Sequence, residues 1–141
     1  MHPAEIALVQ ASFRQVVPRA DQAAALFYAR LFELDPSLRA FFRGDMTEQG
    51  RKLMAMIAAA VAGLEKIDAL VPAVRALGAR HGGYGVTEDH YATVGAALLW
   101  TLEKALGPEF TPAVRGAWVS VYSLLANTMI EAQRAAAPAA A

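Results

Sequence analysis

Residues 80–91 read RHGGYGVTEDHY, and two of the three histidines in the chain, His81 and His90, bracket a glycine-rich turn there. Ahead of it, VPAVRALGARH (71–81) carries apolar side chains three and four apart, the period of a helix with one buried face. Behind it, Thr87-Glu88-Asp89 places a capping hydroxyl and two carboxylates at the positive end of a helix dipole. Gly82-Gly83 is read as the stop between the two helices, because glycine readily takes the left-handed conformation that a helix end favours.

The same period runs outward in both directions. Ile6, Val9, Phe13 and Val17 form one apolar stripe; Leu26, Phe27 and Leu31 form a second; Leu53, Ile57, Val61 and Leu64 form a third. No run of four to eight residues alternates as a half-buried strand does. Asp35-Pro36 and Thr111-Pro112 each pair an N-cap with a proline at the first helical position, where its missing N–H costs nothing. Helices are therefore expected over 4–17, 20–34, 36–42, 47–64, 71–82, 88–106 and 112–133. That is an all-α domain with too many helices for a plain four-helix bundle.

Composition narrows the chemistry. With no cysteine, thiolate zinc sites, iron–sulfur clusters and thiol catalysis are excluded. Lys+Arg and Asp+Glu both number 13, so no basic surplus draws the chain to nucleic acid or to an anionic membrane. The longest apolar run, LMAMIAAAVAGL (53–64), is shorter than the roughly 18–20 residues of a membrane span. The opening MHPAEIALVQ lacks the positive charge that precedes the apolar part of a signal peptide, so a cytoplasmic protein is expected. One domain is expected over 1–134, followed by a low-complexity Ala/Pro tail over 135–141 that is expected to be disordered.

The histidines do not make a shared metal site. At roughly 100° per residue, two positions nine apart would face opposite sides of a continuous helix. No Asp, Glu or His lies one turn from His81 to complete a ligand set. A serine triad is also absent, since no serine stands in a strand-to-helix elbow. A lone histidine is by default a surface or hydrogen-bonded core residue. His81, however, stands in the last turn of its helix, with Leu77 one turn earlier and a glycine break after it. There it also suits one large cofactor that needs a single protein bond, haem. Its remaining ring N–H would point back to the carbonyl of Leu77, one turn earlier. The opposite wall would come from Tyr28, Phe42, Gln49 and Leu53, the last two sharing a helical face. Phe42 and Leu53 can equally be read as ordinary core, and Tyr28 and Gln49 as surface residues.

Six features then fall into register with a known pattern: FYxxLF (27–32), Pro36, Phe42 six residues on, QxRKLM (49–54), LGxRHxxYGVxxxHYxxVGxxLL (77–99) and AWxxVY (117–122). Together they cover about residues 4–133, and they resemble the single-domain bacterial globins and the globin domain of flavohaemoglobins. The resemblance implies a three-over-three helical sandwich enclosing one haem b. It implies His81 as the proximal iron ligand, Phe42 stacked on the porphyrin, and Tyr28, Gln49 and Leu53 around the bound gas. Leu77, Val86 and Val94 would line the proximal side, with Lys52 and Arg80 as partners for the haem propionates. His90 is read as a helix-start residue rather than a second ligand.

The resemblance carries a functional expectation with an alternative. A phenol at Tyr28 and an amide at Gln49 can both donate to bound dioxygen, each worth roughly 1.5–3 kcal/mol or about 10- to 150-fold in affinity. Such a pocket should hold dioxygen tightly, for storage, delivery or scavenging, and favour it over carbon monoxide. The alternative is a nitric oxide dioxygenase, with Tyr28 and Gln49 serving catalysis and a separate reductase supplying electrons, because no GxGxxG or flavin-sized segment is present. In flavohaemoglobins a tyrosine and a late glutamate polarise the proximal histidine. Tyr91 matches the tyrosine, but Gln133 stands in the glutamate's place, which should weaken the electron push onto iron. An oxygen sensor would need an output module, and an alanine-rich helical interaction domain would need no haem. A monomer or weak homodimer is expected.

Overall fold

The computed structural model describes residues 2–136. Six α-helices carry the chain: α1 (Pro3–Val16), α2 (Ala20–Leu34), α3 (Met46–Ala62), α4 (Ile67–Gly83), α5 (Glu88–Leu106) and α6 (Pro112–Ala136). Four short 3-10 pieces, Val17–Arg19, Pro36–Phe41, Gly63–Lys66 and Gly107–Glu109, make the tight connections, and there is no strand among the described residues.

Local chemistry sets the helix starts. His2 Nδ1 accepts from the N–H of Ala4 at 3.1 Å to open α1, and Asp45 Oδ1 accepts from that of Thr47 at 2.8 Å to open α3. Asp35 and Thr111 cap as their prolines predict: Asp35 Oδ1 takes the N–H of Ser37 at 3.1 Å, and Thr111 Oγ1 takes that of Val114 at 3.2 Å. His90 works at the start of α5, where its Nδ1 accepts from the N–H of Thr87 at 3.0 Å.

Four expectations are corrected. The segment expected as an α-helix over 36–42 is a 3-10 helix of six residues, closed by the i→i+3 bond from the N–H of Phe42 to Arg39 O at 3.1 Å and ending there because Phe42 is extended. Helix α4 begins at Ile67 rather than 71 and carries Pro72 inside it. The proline forfeits one bond, to the carbonyl of exposed Asp68, where water can replace it. Gly82 and Gly83 are both helical, and the positive φ of the turn falls on Gly85, at 89°. Val17 is 52% exposed, and Val16, at 2%, takes its place in the core, because the backbone tightens to 3-10 at residue 17. Residues 135 and 136 continue α6, and the rest of the Ala/Pro segment lies outside the described residues.

The helix pairs sort into two layers, with α1, α3 and α4 laid against α2, α5 and α6. The larger core cluster lies between α1, α5 and α6, around Val9, Phe13, Leu102 and Trp118. Trp118 is 2% exposed, and its indole N–H is satisfied by Ser12 Oγ at 2.9 Å. A second cluster, of Phe27, Tyr28, Leu31, Leu38 and Ala97, fills the space under α2. The most extensive contact in the molecule is α4 on α6. A Cβ on Gly78 would sit inside the backbone of Met129, 2.6 Å from its Cα, so only glycine allows the two helices to come this close.

Candidate functional site

Between these clusters lies an apolar cleft of about 240 Å³. Its floor is α6, its walls are α3 and α4, and it continues to the first turns of α5. Leu53, Leu77, His81, Val86, Tyr91 and Val94, all expected from the sequence around a cofactor, line it together. Its other polar groups are His90, whose Nδ1 is engaged at the helix start, the indole of Trp118, bonded to Ser12, and the phenol of Tyr122, which donates to the carbonyl of Tyr91.

His81 stands half-buried in the last turn of α4. Its Nδ1 lies 2.8 Å from the carbonyl oxygen of Leu77. A carbonyl only accepts, so Nδ1 carries the proton, and in the neutral ring Nε2 is left with a free lone pair. The donor set is therefore one imidazole nitrogen in a hydrocarbon-lined cleft. No cluster of three or more His, Cys, Asp or Glu that could hold a bare metal ion exists among the described residues. A flat, largely apolar group that brings its own equatorial ligands and needs one axial nitrogen fits this arrangement; a free cation does not.

The turn behind His81 is hydrogen-bonded throughout. The N–H of Tyr84 reaches the carbonyls of Arg80 and His81, and the N–H of Val86 donates to His81 O at 3.1 Å. The carbonyl of Val86 in turn accepts from Gln133 Nε2, and Gln133 Oε1 accepts from the hydroxyl of Tyr91 at 3.0 Å. Burial pushes the phenols of Tyr91 and Tyr122 up, so both remain protonated donors at neutral pH.

On the α2 side, Tyr28 sits in an aromatic cluster, with Phe27 and Phe42 each edge-on to it at 5.1 Å and Phe32 stacked at 6.0 Å. Burial raises its pKa and a hydrogen-bonding contact with Gln49 partly offsets this, so it too keeps its proton. Tyr28, Phe42 and Gln49 are not among the residues lining the cleft. Tyr28 and Phe42 adjoin it through Phe27, Leu53, Val94 and Leu98, which belong to both the aromatic cluster and the cleft. Tyr28 also borders a hollow of about 350 Å³ between α2 and the start of α3. Lys52 and Arg80 are both exposed and stand apart from the cleft lining.

The profile of the globin family matches residues 25–129, a span that takes in the aromatic cluster under α2 and the whole cleft. The chain belongs to the globin family. Among its relatives, neuroglobin of Danio rerio is 35% identical over 118 residues, covering 74% of each chain. The flavohaemoprotein of Bordetella parapertussis is 33% identical over 144 residues, and this chain, matched along its whole length, spans 36% of that protein. Among solved structures, an engineered carbene transferase from Rhodothermus marinus, made from a protein assigned as a nitric oxide dioxygenase, superimposes with a TM-score of 0.85 at 26% identity over 96% of this chain and 94% of that one.

The globin cleft also draws on residues that the sequence left unassigned. Trp118, Val121, Tyr122, Leu125 and Met129 form its floor. Their spacing of three and four along α6 is the available signal, but it is the same spacing a plain core stripe would show. Met56, at 46% exposed, marks the rim, and nothing in its neighbourhood of alanines distinguishes it from a surface methionine.

Proposed function

We propose that this globin binds haem b on His81 and takes up dioxygen reversibly and tightly. The observation that supports it is the single imidazole whose Nδ1–H is engaged by Leu77 and whose Nε2 is free in an apolar cleft. Haem, when bound, supplies an iron that takes a diatomic gas such as dioxygen, nitric oxide or carbon monoxide and can change its charge by one electron. The residues of the chain do the rest. His81 holds the group and orients it. Leu53, Leu77, Val86 and Val94 exclude water from its faces, and Phe42 packs on it from the α2 side. Lys52 and Arg80, exposed and basic, pair with its propionates. Tyr28 and Gln49 donate hydrogen bonds to the ligand, and burial keeps the Tyr28 phenol protonated for that purpose.

A second reading, nitric oxide dioxygenase assisted by a separate reductase, is favoured by the flavohaemoprotein relatives and by the origin of the Rhodothermus marinus neighbour. Binding without turnover is favoured by Gln133, since the amide that meets Tyr91 carries no charge to push toward His81. Absorption spectra of the ferric, dithionite-reduced and re-aerated protein test the proposal. A five-coordinate ferrous spectrum that converts to a stable oxygenated form is expected. A colourless protein that takes up no added haemin would remove the haem reading altogether. Fast re-reduction by a cellular reductase in the presence of nitric oxide would select the dioxygenase.

A further inference from the structure

Gln133 sits in the last turn of α6, more than fifty residues along the chain from His81, yet the two are joined by an unbroken hydrogen-bonded path. Its Oε1 accepts from Tyr91 and its Nε2 donates to the carbonyl of Val86. The N–H of Val86 donates to the carbonyl of His81 itself. His81 returns its ring proton to Leu77. The side chain of Gln133 is also pressed against the helix that carries His81, because a Cβ on Gly82 would lie 2.7 Å from Gln133 Cγ. Glycine next to the histidine is thus what lets the amide reach past α4 to the turn behind it.

Only a group with a donor and an acceptor at once satisfies both contacts. The Tyr91 hydroxyl donates and the Val86 carbonyl accepts, so the side chain between them must accept at one end and donate at the other. An ionised carboxylate has no donor and would set an oxygen against the Val86 carbonyl. We propose that Gln133 is the positioning residue of the His81 side. Its amide straps the turn Tyr84–Thr87 to α6, holds the backbone of His81 through Val86, and keeps the ground behind the imidazole electrically neutral. The second half of this inference rests on the haem reading above; the strap does not.

Two variants separate the parts. Gln133→Met keeps the length and removes both hydrogen-bonding atoms; Gln133→Glu keeps the acceptor, removes the donor and adds a charge. Amide hydrogen exchange over Tyr84–Thr87 and the ferric/ferrous midpoint potential are measured on the haem-loaded wild type and both variants. Exchange is expected to accelerate about 10-fold or more in both variants. The oxidised form is expected to gain about tenfold in Gln133→Glu alone, a fall of about 59 mV for one electron. Unchanged exchange in Gln133→Met overturns the strap. An equal potential shift in Met and Glu overturns the claim that neutrality matters, leaving a purely structural role. If the protein takes up no haem, the proposed function fails, and exchange in the haem-free chain still decides the strap.

Discussion

On the α4 side the cleft is held by directional bonds, running from Tyr91 through Gln133, Val86 and His81 to Leu77. On the α2 side it is held by rings: Tyr28, Phe27, Phe32 and Phe42 meet at 5.1–6.0 Å, with Gln49 alongside Tyr28. Hydrogen bonds fix angle as well as distance and tolerate little displacement, whereas aromatic packing is broad and lets side chains turn. The contrast suits a site in which one side must hold a group still and the other must admit something small. It also predicts that substitutions on the two sides fail differently: on the first, the group is lost or its electronics change; on the second, only the residence of the ligand changes.

The largest effect is expected from His81→Ala. If His81 holds haem as proposed, losing its imidazole should weaken haem uptake by more than about 100-fold, beyond the 10- to 100-fold typical of losing a supporting partner. Haemin titration followed in the Soret band measures it, with circular dichroism to show that the helices persist. Retained affinity would mean that another residue carries the ligand role, and the contrast between the two sides would collapse.

Tyr28→Phe and Gln49→Leu should each leave haem uptake near wild type and speed dioxygen release by about 10- to 150-fold, the worth of a charge-assisted hydrogen bond of 1.5–3 kcal/mol. Stopped-flow displacement of dioxygen by carbon monoxide reads the rate. If release is unchanged in both, the rings of the α2 side are core and nothing more.

Gly78→Ala tests the support under the α4 side. The added methyl would meet the backbone of Met129, which cannot rotate away, so overpacking of about 1–3 kcal/mol is expected in urea unfolding. The same change at exposed Gly83, where a Cβ meets nothing within 4 Å, should be neutral or slightly stabilising.

The smallest effect is expected at alkaline pH. Burial raises the phenols of Tyr28, Tyr91 and Tyr122, so each holds its proton longer folded than unfolded. Their contribution is complete below the unfolded value of about 10 and is lost as pH rises through the folded values. Thermal melts between pH 8 and 11.5 should fall on the alkaline limb, and Tyr122→Phe should flatten that fall more than Tyr28→Phe. Equal flattening would show that the two sides bury their phenols alike.

What could be read from sequence follows the range over which each cause acts. The bond from His81 to the Leu77 carbonyl is a matter of one helical turn, and it stands where the spacing places it. Helix α5 begins and ends as its caps and period predict. Gly82 was misread because glycine serves both a left-handed stop and a close helix contact, and the choice depends on Gln133, which is remote in sequence. The exposure of Val17 was hidden for a related reason: a regular count of residues cannot sense a switch to 3-10 geometry. The α6 floor of the cleft was legible as a stripe, but not as belonging to a cavity rather than to solid core.

The seat of α4 on α6 has a mechanical consequence. With Gly78 against the main chain of Met129 and Gly82 against Gln133, the two helices are keyed one turn apart like teeth in a rack. Sliding α4 along its axis would drive the next side chain into that backbone, so the helix has no free travel. A pull on the imidazole would be absorbed by bending within the single turn from Leu77 to His81, and little of it would reach the rest of the molecule.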